Sequence, residues 1–133
     1  MNHNHDDNIS LRNATIDDAT FVYALRFGPD VRKVSWSTSG VSFRNHRNYF
    51  NKHLSEYQMI YVGNTCVGFI RVNDEISIYL HKPYRGKGIG TQVLNRFSGR
   101  ATIKEGNEQS RKAFMNAGFQ QVGIIMEKKV KRI

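Results

Sequence analysis

The first thirty residues combine a short alternating segment with a helical one. Residues 9–12 alternate apolar and polar side chains, which predicts a half-buried strand. Thr15 precedes Asp18 by three residues. This spacing resembles a capping box, with Asp in place of the usual Glu, and predicts the start of a helix that ends at Gly28-Pro29. The predicted apolar face of this helix consists of Phe21, Ala24 and Leu25.

A second helix follows a segment whose structure the pattern leaves ambiguous. Residues 31–40 fit a loop that holds Trp36 inward. Ser42 then suits the N-cap of a helix, and apolar or aromatic residues recur behind it at helical spacing. The members of this face are Phe43, His46, Phe50 and Leu54.

The middle of the chain changes to the period of strands. Residues 59–62, 65–72 and 75–80 are three predicted strands, with short turns at Gly63-Asn64 and Asn73-Asp74. Turns of this length indicate an antiparallel meander. Pro83 then interrupts the chain before a glycine-rich segment.

The last third returns to helices and adds further β-prone sequence. A helix is predicted after residue 88, a short strand at residues 101–103, a helix at residues 107–116 closed by Gly118, and β-prone sequence at residues 119–130. The predicted order is β-α-α-β-β-β-α-β-α-β. It indicates an α+β protein with a mixed sheet. The apolar stripe of the third helix consists of Ile89, Val93, Leu94 and Phe97.

Length and composition limit the class of protein. The 133 residues fit one domain, which we place at residues 9–133 behind a disordered tail at residues 1–8. No stretch approaches the roughly 20 apolar residues of a membrane span, and the polar N-terminus lacks the apolar core of a signal peptide. We therefore expect a cytoplasmic protein without a membrane partner. Cys66 stands alone, so we interpret it as a small buried hydrophobe, and we predict no metal site.

The net charge of +9 favours a polyanionic partner without identifying it. Nucleic acid, acidic membranes and phosphorylated small molecules all meet that description. A nucleic-acid-binding module would interleave aromatic residues with Lys and Arg on one surface. Here the aromatic residues fall mainly on the apolar stripes, so we expect no nucleic-acid partner.

Residues 85–90, Arg-Gly-Lys-Gly-Ile-Gly, have the arrangement of a phosphate-binding turn. They lie between a predicted strand and a helix whose first N–H groups attract anions. Glycines allow a close approach of the backbone, and Arg85 and Lys87 add positive charge. A P-loop would need lysine before Thr91, and the dinucleotide-binding fingerprint has another glycine spacing in an early βαβ unit. A tight structural turn remains the alternative on spacing alone.

Two motifs in order resemble those of the GNAT acetyltransferase superfamily. Arg85-x-x-Gly88-x-Gly90 is similar to the coenzyme A motif of that family, and Asn107-x-x-Ser110 with Gly118-Phe119 is similar to its later helix. The resemblance extends over residues 9–130. It implies the GNAT fold, a mostly antiparallel central sheet flanked by helices. It also implies acetyl-coenzyme A as cosubstrate and a primary amine as acceptor.

The resemblance also assigns the cofactor contacts. The strand before the loop would bind the pantetheine arm through its backbone, and the amides of residues 86–91 would bind the pyrophosphate. The first turn of the last helix would contact pantetheine or phosphate, although Asn107 is equally a plain helix N-cap. The implied cofactor-binding residues are Ile78, Tyr79, Leu80, Arg85, Gly86, Lys87, Gly88, Ile89, Gly90, Thr91, Asn107 and Ser110.

The proton-transfer residues are less well determined. Glu75 resembles the general base of several family members, and a solvated turn residue beside Asp74 is an equal alternative. The usual acidic tyrosine is replaced by Phe114, which has no proton to donate. Tyr79, Tyr84, Ser110 or a water molecule could substitute, or the thiolate could leave unassisted. The predicted catalytic residues are Glu75, Tyr79 and Ser110.

The front half resembles the branch that acetylates amino groups on nucleotide-linked sugars. The resemblance involves Arg26, residues 32–35 and residues 46–54, and a nucleotide-sugar diphosphate suits the net charge of +9. His46 could contact this substrate, act as a base or be structural. A protein N-terminus, another small amine, or a non-catalytic coenzyme A module are the alternatives, while a polyamine would call for an acidic pocket. We expect a monomer or a homodimer.

Overall fold

The computed structural model describes residues 8–28 and 41–128. Outside the described residues lie residues 1–7 of the predicted tail, residues 29–40 with Pro29 and the ambiguous segment around Trp36, and residues 129–133.

Four antiparallel strands form the sheet, in the order β1-β2-β3-β4. Their bounds are Ile9–Asn13, Tyr57–Val62, Thr65–Val72 and Ile76–Leu80. All four predicted strands up to residue 80 are confirmed within two residues at each end. Val62 pairs with Thr65 across the turn between β2 and β3, where Gly63 has a φ of 60°. That left-handed conformation explains the glycine in a turn this tight.

The two faces of the sheet carry different sets of apolar side chains, because successive residues of a strand point to opposite sides. Each set of side chains is buried against two helices. One set contains Ile60, Val67, Ile70 and Ile76, and the other contains Tyr57, Met59 and Phe69.

Helices cover both faces of the sheet. Helix α1 (Ala19–Arg26) and helix α2 (Phe43–Lys52) pack on the face of Met59, and helix α3 (Ile89–Leu94) and helix α4 (Glu108–Asn116) pack on the face of Ile60. Short 3-10 turns precede α1, β2 and the glycine loop, at Ile16–Asp18, Leu54–Glu56 and Lys82–Tyr84. The α+β class, with an antiparallel sheet flanked by helices, is confirmed.

Two predicted helix starts are confirmed by their caps. The backbone N–H of Thr15 donates to the Asp18 carboxylate over 2.8 Å, as in a capping box. The hydroxyl of Ser42 accepts from the backbone N–H of Asn45 over 3.2 Å. Each cap satisfies an N–H group that the first helical turn leaves unpaired.

The predicted helix faces need correction at several positions. In α1 the buried residues are Ala19, Val22 and Leu25, whereas Phe21 is half-buried and Ala24 is exposed. The helix packs along positions 19, 22 and 25, which turns residue 24 towards solvent. Three further predicted face residues lie at the ends of helices: Phe43 is exposed, and Leu54 and Phe97 lie beyond the last turns of α2 and α3.

The two late strands that we predicted at residues 101–103 and 119–130 are not formed in the described residues. The sheet is therefore antiparallel throughout the described residues rather than mixed. Within the described residues, a single backbone hydrogen bond, from the N–H of Ile76 to the carbonyl of Arg100 over 2.8 Å, ties this region to β4. Residues 121–128 are all exposed and pair with no strand of the described chain. β-prone sequence becomes a strand only when it pairs with a strand edge, and this segment pairs with none of the described ones.

No described helix has both the length and the apolar character needed to cross a membrane.

Candidate functional site

The outer edge of β4 exposes backbone groups that β3 does not use. The N–H of His81 donates to the carbonyl of Val67 on the β3 side, whereas the N–H of Ile76 donates away from β3 to Arg100. Because these directions alternate along an antiparallel ladder, the backbone groups of Ile78 and Leu80 also point away from β3. The backbone of Tyr79 faces β3. This edge is therefore available to a ligand through Ile78 and Leu80, not through Tyr79.

The glycine loop begins where this edge ends. After the turn Lys82–Tyr84, Gly86 and Gly88 adopt φ angles of 73° and 82°, and α3 starts at Ile89. A Cβ atom on either glycine would meet no heavy atom within 4 Å. Both glycines are thus required by backbone conformation, and the space around them is open.

Arg85 connects the loop to the end of β4. Its Nε atom donates to the carbonyl oxygen of Leu80 over 2.8 Å. Lys87 is exposed, with its Nζ atom 5.9 Å from the centre of the Tyr84 ring. Both cations that the sequence predicted at this loop therefore lie there. Arg85 ties the loop to β4, and Lys87 lies at its surface.

Gly90 lies where α3 packs against α4. It is buried, and a Cβ atom there would lie 3.7 Å from both the Ala113 Cβ and the Leu80 Cδ1 atoms. The third glycine of the motif thus serves helix packing next to the end of β4, whereas Thr91 behind it is half-buried in α3.

The first turn of α4 is capped by Asn107. Its Oδ1 atom accepts from the backbone N–H of Ser110 over 3.3 Å, which confirms the N-cap interpretation. Four residues further along α4, Phe114 is buried and packs edge-to-face on Phe119 at 5.0 Å. The position at which the family usually has its acidic tyrosine is here part of the apolar core.

Glu75 lies just before β4 and is held by the chain that follows α3. Its Oε2 atom accepts from the Thr102 hydroxyl over 2.6 Å, and its backbone N–H donates to the Asn73 side chain over 3.0 Å. The carboxylate is half-buried rather than freely solvated. Glu75 lies where residues 100–102 contact the start of β4.

The three predicted catalytic residues do not meet. Tyr79 packs with the α1 and α2 side of the sheet, while Ser110 belongs to α4 on the opposite side. No hydrogen bond joins either of them to Glu75 or to each other in the structure. Tyr84, the other tyrosine considered, is half-buried with its ring 6.4 Å from that of His81.

A small polar pocket beside Tyr79 could not be predicted from sequence spacing. Its volume is about 40 Å³. Arg26 Nη1 donates to the Tyr79 hydroxyl over 2.5 Å, although the two residues are 53 positions apart. Only the packing of α1 across the sheet brings them together. The lining residues are Arg26, Tyr57, Phe69, Arg71, Ser77 and Tyr79.

Arg71 on the far side of this pocket is already paired. It donates through Nε and Nη2 to one oxygen of Glu56, over 3.0 and 2.8 Å, and through Nη2 to the Tyr49 hydroxyl. Hydrogen bonds from His53 and from Arg71 lower the pKa of Glu56, so the carboxylate is ionised at neutral pH. Burial raises the pKa of Tyr57, which therefore remains a neutral phenol.

His46 is enclosed by aromatic rings. Its ring lies 5.3 Å from Tyr23, 5.8 Å from Phe27 and 5.8 Å from Phe50, and only 4% of the residue is exposed. Burial lowers the pKa of His46, so the ring is neutral at pH 7. These contacts are those of a packing residue between α1 and α2.

Cys66 is half-buried in β3, with its Sγ atom 3.8 Å from the carbonyl oxygen of Gly68. Burial raises the pKa of the thiol, which keeps it protonated and suits the predicted role as a small hydrophobe. Within residues 8–28 and 41–128, no cluster of three His, Cys, Asp or Glu side chains is placed to hold a metal ion.

Comparison with known proteins adds an independent result. A family model described as the acetyltransferase (GNAT) family matches residues 22–119. No curated protein sequence matches the chain significantly.

Several solved structures share the fold. An acetyltransferase of the GNAT family from Bacillus anthracis is 19% identical, with a TM-score of 0.73, over 87% of this chain and 82% of that one. A putative acetyltransferase from Salmonella typhimurium with its cofactor acetyl-CoA is 18% identical, with a TM-score of 0.69, over 91% and 88%. Spermidine N-acetyltransferase from Vibrio cholerae, in complex with CoA and spermine, is 16% identical, with a TM-score of 0.77, over 92% and 86%. At these identities, the likeness establishes the fold alone.

Proposed function

We infer the function of this chain from its family: it belongs to the acetyltransferase (GNAT) family, whose model matches residues 22–119. The chain is therefore an acetyltransferase that uses acetyl-coenzyme A as the acetyl donor.

We propose that the donor binds along the outer edge of β4 and in the glycine loop. Pantetheine is a linear chain with two amides, so it can pair with the outward backbone groups of Ile78 and Leu80 as an added strand would. The carbonyl of Leu80 already accepts from Arg85, which leaves its N–H for the ligand. This open strand edge, running directly into the loop, is the observation that carries the proposal.

The loop would hold the pyrophosphate. Open space surrounds Gly86 and Gly88, and the amides of residues 86–91 surround the start of α3. The exposed ammonium of Lys87 adds positive charge at the same place. Asn107 and Ser110 would contact the cofactor from α4 by their side chains, in addition to the cap that Asn107 forms.

Direct attack of the amine on the thioester needs no protein nucleophile. The amine nitrogen forms a bond to the acetyl carbon, the C–S bond breaks, the amine loses a proton and the thiolate gains one. Glu75 would accept the amine proton, directly or through water. Tyr79 is a better candidate than Ser110 for the proton donor, because its hydroxyl accepts from Arg26 and retains its own proton.

The acceptor that we propose is the amino group of a nucleotide-linked sugar. The diphosphate of such a substrate suits the net charge of +9 and the exposed Arg44 and Arg47 on α2. One structural neighbour is named for spermidine. A polycation of that kind is a poor match for so basic a chain.

Binding and turnover can be measured separately. Calorimetric titration with coenzyme A should show a single site, and free thiol should appear when acetyl-coenzyme A is mixed with an amino-sugar nucleotide. Peptides with free N-termini and polyamines complete the panel and should react more slowly.

Absence of coenzyme A binding at millimolar concentration would contradict the proposed donor site. Binding without thiol release on any amine would instead indicate a non-catalytic coenzyme A module. Preferential turnover of a peptide would replace the nucleotide-sugar as the proposed acceptor.

A further inference from the structure

The pocket beside Tyr79 contains more positive charge than its described carboxylates neutralise. Glu56 pairs with Arg71 through one oxygen, at 2.8 Å from Nη2. The polar partner of Arg26 is the neutral hydroxyl of Tyr79, and its other neighbours are the rings of Phe27 and Tyr79 at 5.2 and 5.6 Å. No carboxylate in residues 8–28 or 41–128 forms an ion pair with Arg26. No carboxylate of the described chain therefore compensates this guanidinium charge in the pocket.

Hydrogen-bond donors exceed acceptors in the same space. A guanidinium carries several N–H donors in a planar fork, and Arg26 uses one of them on Tyr79. The hydroxyl of Ser77 forms no hydrogen bond in the described part of the chain, and the Tyr79 hydroxyl keeps its own proton. Donors that converge on a half-buried, positively charged space are the features of an anion site.

The size of the pocket limits what can enter it. Its volume of about 40 Å³ is roughly three times the 10–15 Å³ that a single water molecule requires. The oxygens of a carboxylate or of a phosphate fit this space, whereas a sugar ring or a nucleobase does not. The pocket therefore suits one anionic group of a larger molecule.

The location of the pocket relates it to the acceptor. Ser77 and Tyr79 alternate along β4 with Ile78 and Leu80, whose backbone edge is the proposed pantetheine site. The residues that would bind the anionic group are thus the direct neighbours in β4 of those that would bind the donor. An acceptor could place its amine at the thioester from there.

We propose that the acceptor amine carries a carboxylate or a phosphate and that Arg26, with Ser77, binds this anionic group. The inference rests on the proposed acetyl transfer and specifies which amines are used. It makes Arg26 a specificity residue of the acceptor site. Amino acids and amino-sugar phosphates both carry the required chemistry, and the experiment separates these two sources.

The test compares amines with and without an anionic group, with rates expressed per concentration of neutral amine, because removal of the anionic charge also lowers the pKa of the amine. Methionine is paired with methioninamide, and glucosamine 6-phosphate with glucosamine, with thiol release as the readout. In at least one pair, the anionic member should have a kcat/KM about 10–100-fold above that of its neutral partner, as expected for a hydrogen bond to a charged group. The pair that shows the preference identifies the carboxylate or the phosphate as the source.

Variants of Arg26 then locate the preference. Arg26→Gln should remove it by lowering kcat/KM much more for the anionic amine than for the neutral amine, which loses only what the Arg26 hydrogen bond to Tyr79 contributes, while coenzyme A binding is unchanged. Arg26→Lys keeps the charge but not the fork, so it should retain part of the preference. Arg12→Gln is the matched control, because Arg12 also stacks on a tyrosine, at 4.1 Å from the Tyr61 ring, but lies outside the pocket.

A binding measurement keeps this proposal separate from the proposed function. Acetate and inorganic phosphate are titrated into isotope-labelled protein saturated with coenzyme A, or into the free protein if coenzyme A does not bind. At least one anion should shift the Nε–H resonance of Arg26, with no shift at Arg12.

The possible results distinguish the anion site from the acetyl transfer. Absence of turnover with a retained Arg26 shift would contradict the acetyl transfer but not the anion site. Equal use of both members of each pair would overturn the proposal and leave the transferase function intact. Equal losses on anionic and neutral amines in Arg26→Gln would overturn it too.

Discussion

Glu75 and Tyr79 are each oriented by one neighbour without losing the chemistry proposed for them. The Glu75 carboxylate accepts from the Thr102 hydroxyl at 2.6 Å and retains further lone pairs for a proton. The Tyr79 hydroxyl accepts from Arg26 and retains its own hydrogen. Glu75 lies in the bend just before β4, and Tyr79 lies within the strand. A proton acceptor and a proton donor are thereby available at the start of β4 and within it.

Replacement of Glu75 should test its role as the base. In Glu75→Gln, the side chain can still accept from Thr102 but cannot take a proton, so kcat should fall by about a hundredfold or more while the KM for acetyl-coenzyme A is unchanged. Steady-state kinetics up to saturating acetyl-coenzyme A would measure this.

The adjacent carboxylate provides a matched control for this substitution. Asp74 is exposed and forms no side-chain hydrogen bond in the described chain, so Asp74→Asn removes the same charge without the proposed chemistry. A loss of activity equal in the two variants would show that charge near β4 matters rather than a base at Glu75. A Glu75→Gln protein with full activity would leave Glu75 as the turn residue of the alternative interpretation.

The glycine loop and the turn between β2 and β3 are two short elements that need glycine for the same backbone reason. Gly88 has a φ of 82° and Gly63 a φ of 60°, and neither has a heavy atom within 4 Å of a Cβ position. Only the first lies at the proposed pyrophosphate site. The pair therefore separates the cost of backbone strain from an effect on the ligand.

Gly88→Ala should weaken coenzyme A binding, whereas Gly63→Ala should not. Both substitutions should lower the free energy of unfolding by about 1–2 kcal/mol, because an alanine in the left-handed region is strained. In Gly88→Ala the Cβ atom also occupies space beside the phosphates, so the Kd should rise about tenfold or more. Thermal unfolding and calorimetry measure the two effects. Equal Kd values in the two variants would contradict the loop assignment.

Elements defined by neighbouring residues were predictable from the sequence, whereas those that need a distant partner were not. The caps at Thr15 and Ser42 and the glycine loop depend on residues a few positions apart, and the structure has them as predicted. The strand expected at residues 101–103 failed because its formation depends on the edge of β4, to which it is tied by one hydrogen bond. The Arg26–Tyr79 pair spans 53 positions and required the packing of α1 on the sheet.

The whole molecule is strongly basic, and part of that charge surrounds the proposed donor site. Lys82, just before the loop, and Lys87, within it, are both exposed, and Arg85 lies between them in the sequence. Coenzyme A carries a pyrophosphate and a further phosphate, so the field of the protein should raise the local concentration of this ligand. Attraction between solvent-exposed charges is screened by salt, with a Debye length of about 10 Å at 0.1 M and about 3 Å at 1 M.

Coenzyme A binding should therefore weaken as ionic strength rises. Between about 0.1 and 1 M sodium chloride we expect the Kd to increase roughly tenfold, with a smaller increase for dephospho-coenzyme A, which lacks the separate phosphate. Lys87→Gln should reduce the salt dependence. Lys52→Gln should not, because Lys52 is an exposed residue at the end of α2, on the other face of the sheet. A Kd that stays constant with salt would show that the net charge of +9 serves the acceptor or another partner rather than the donor.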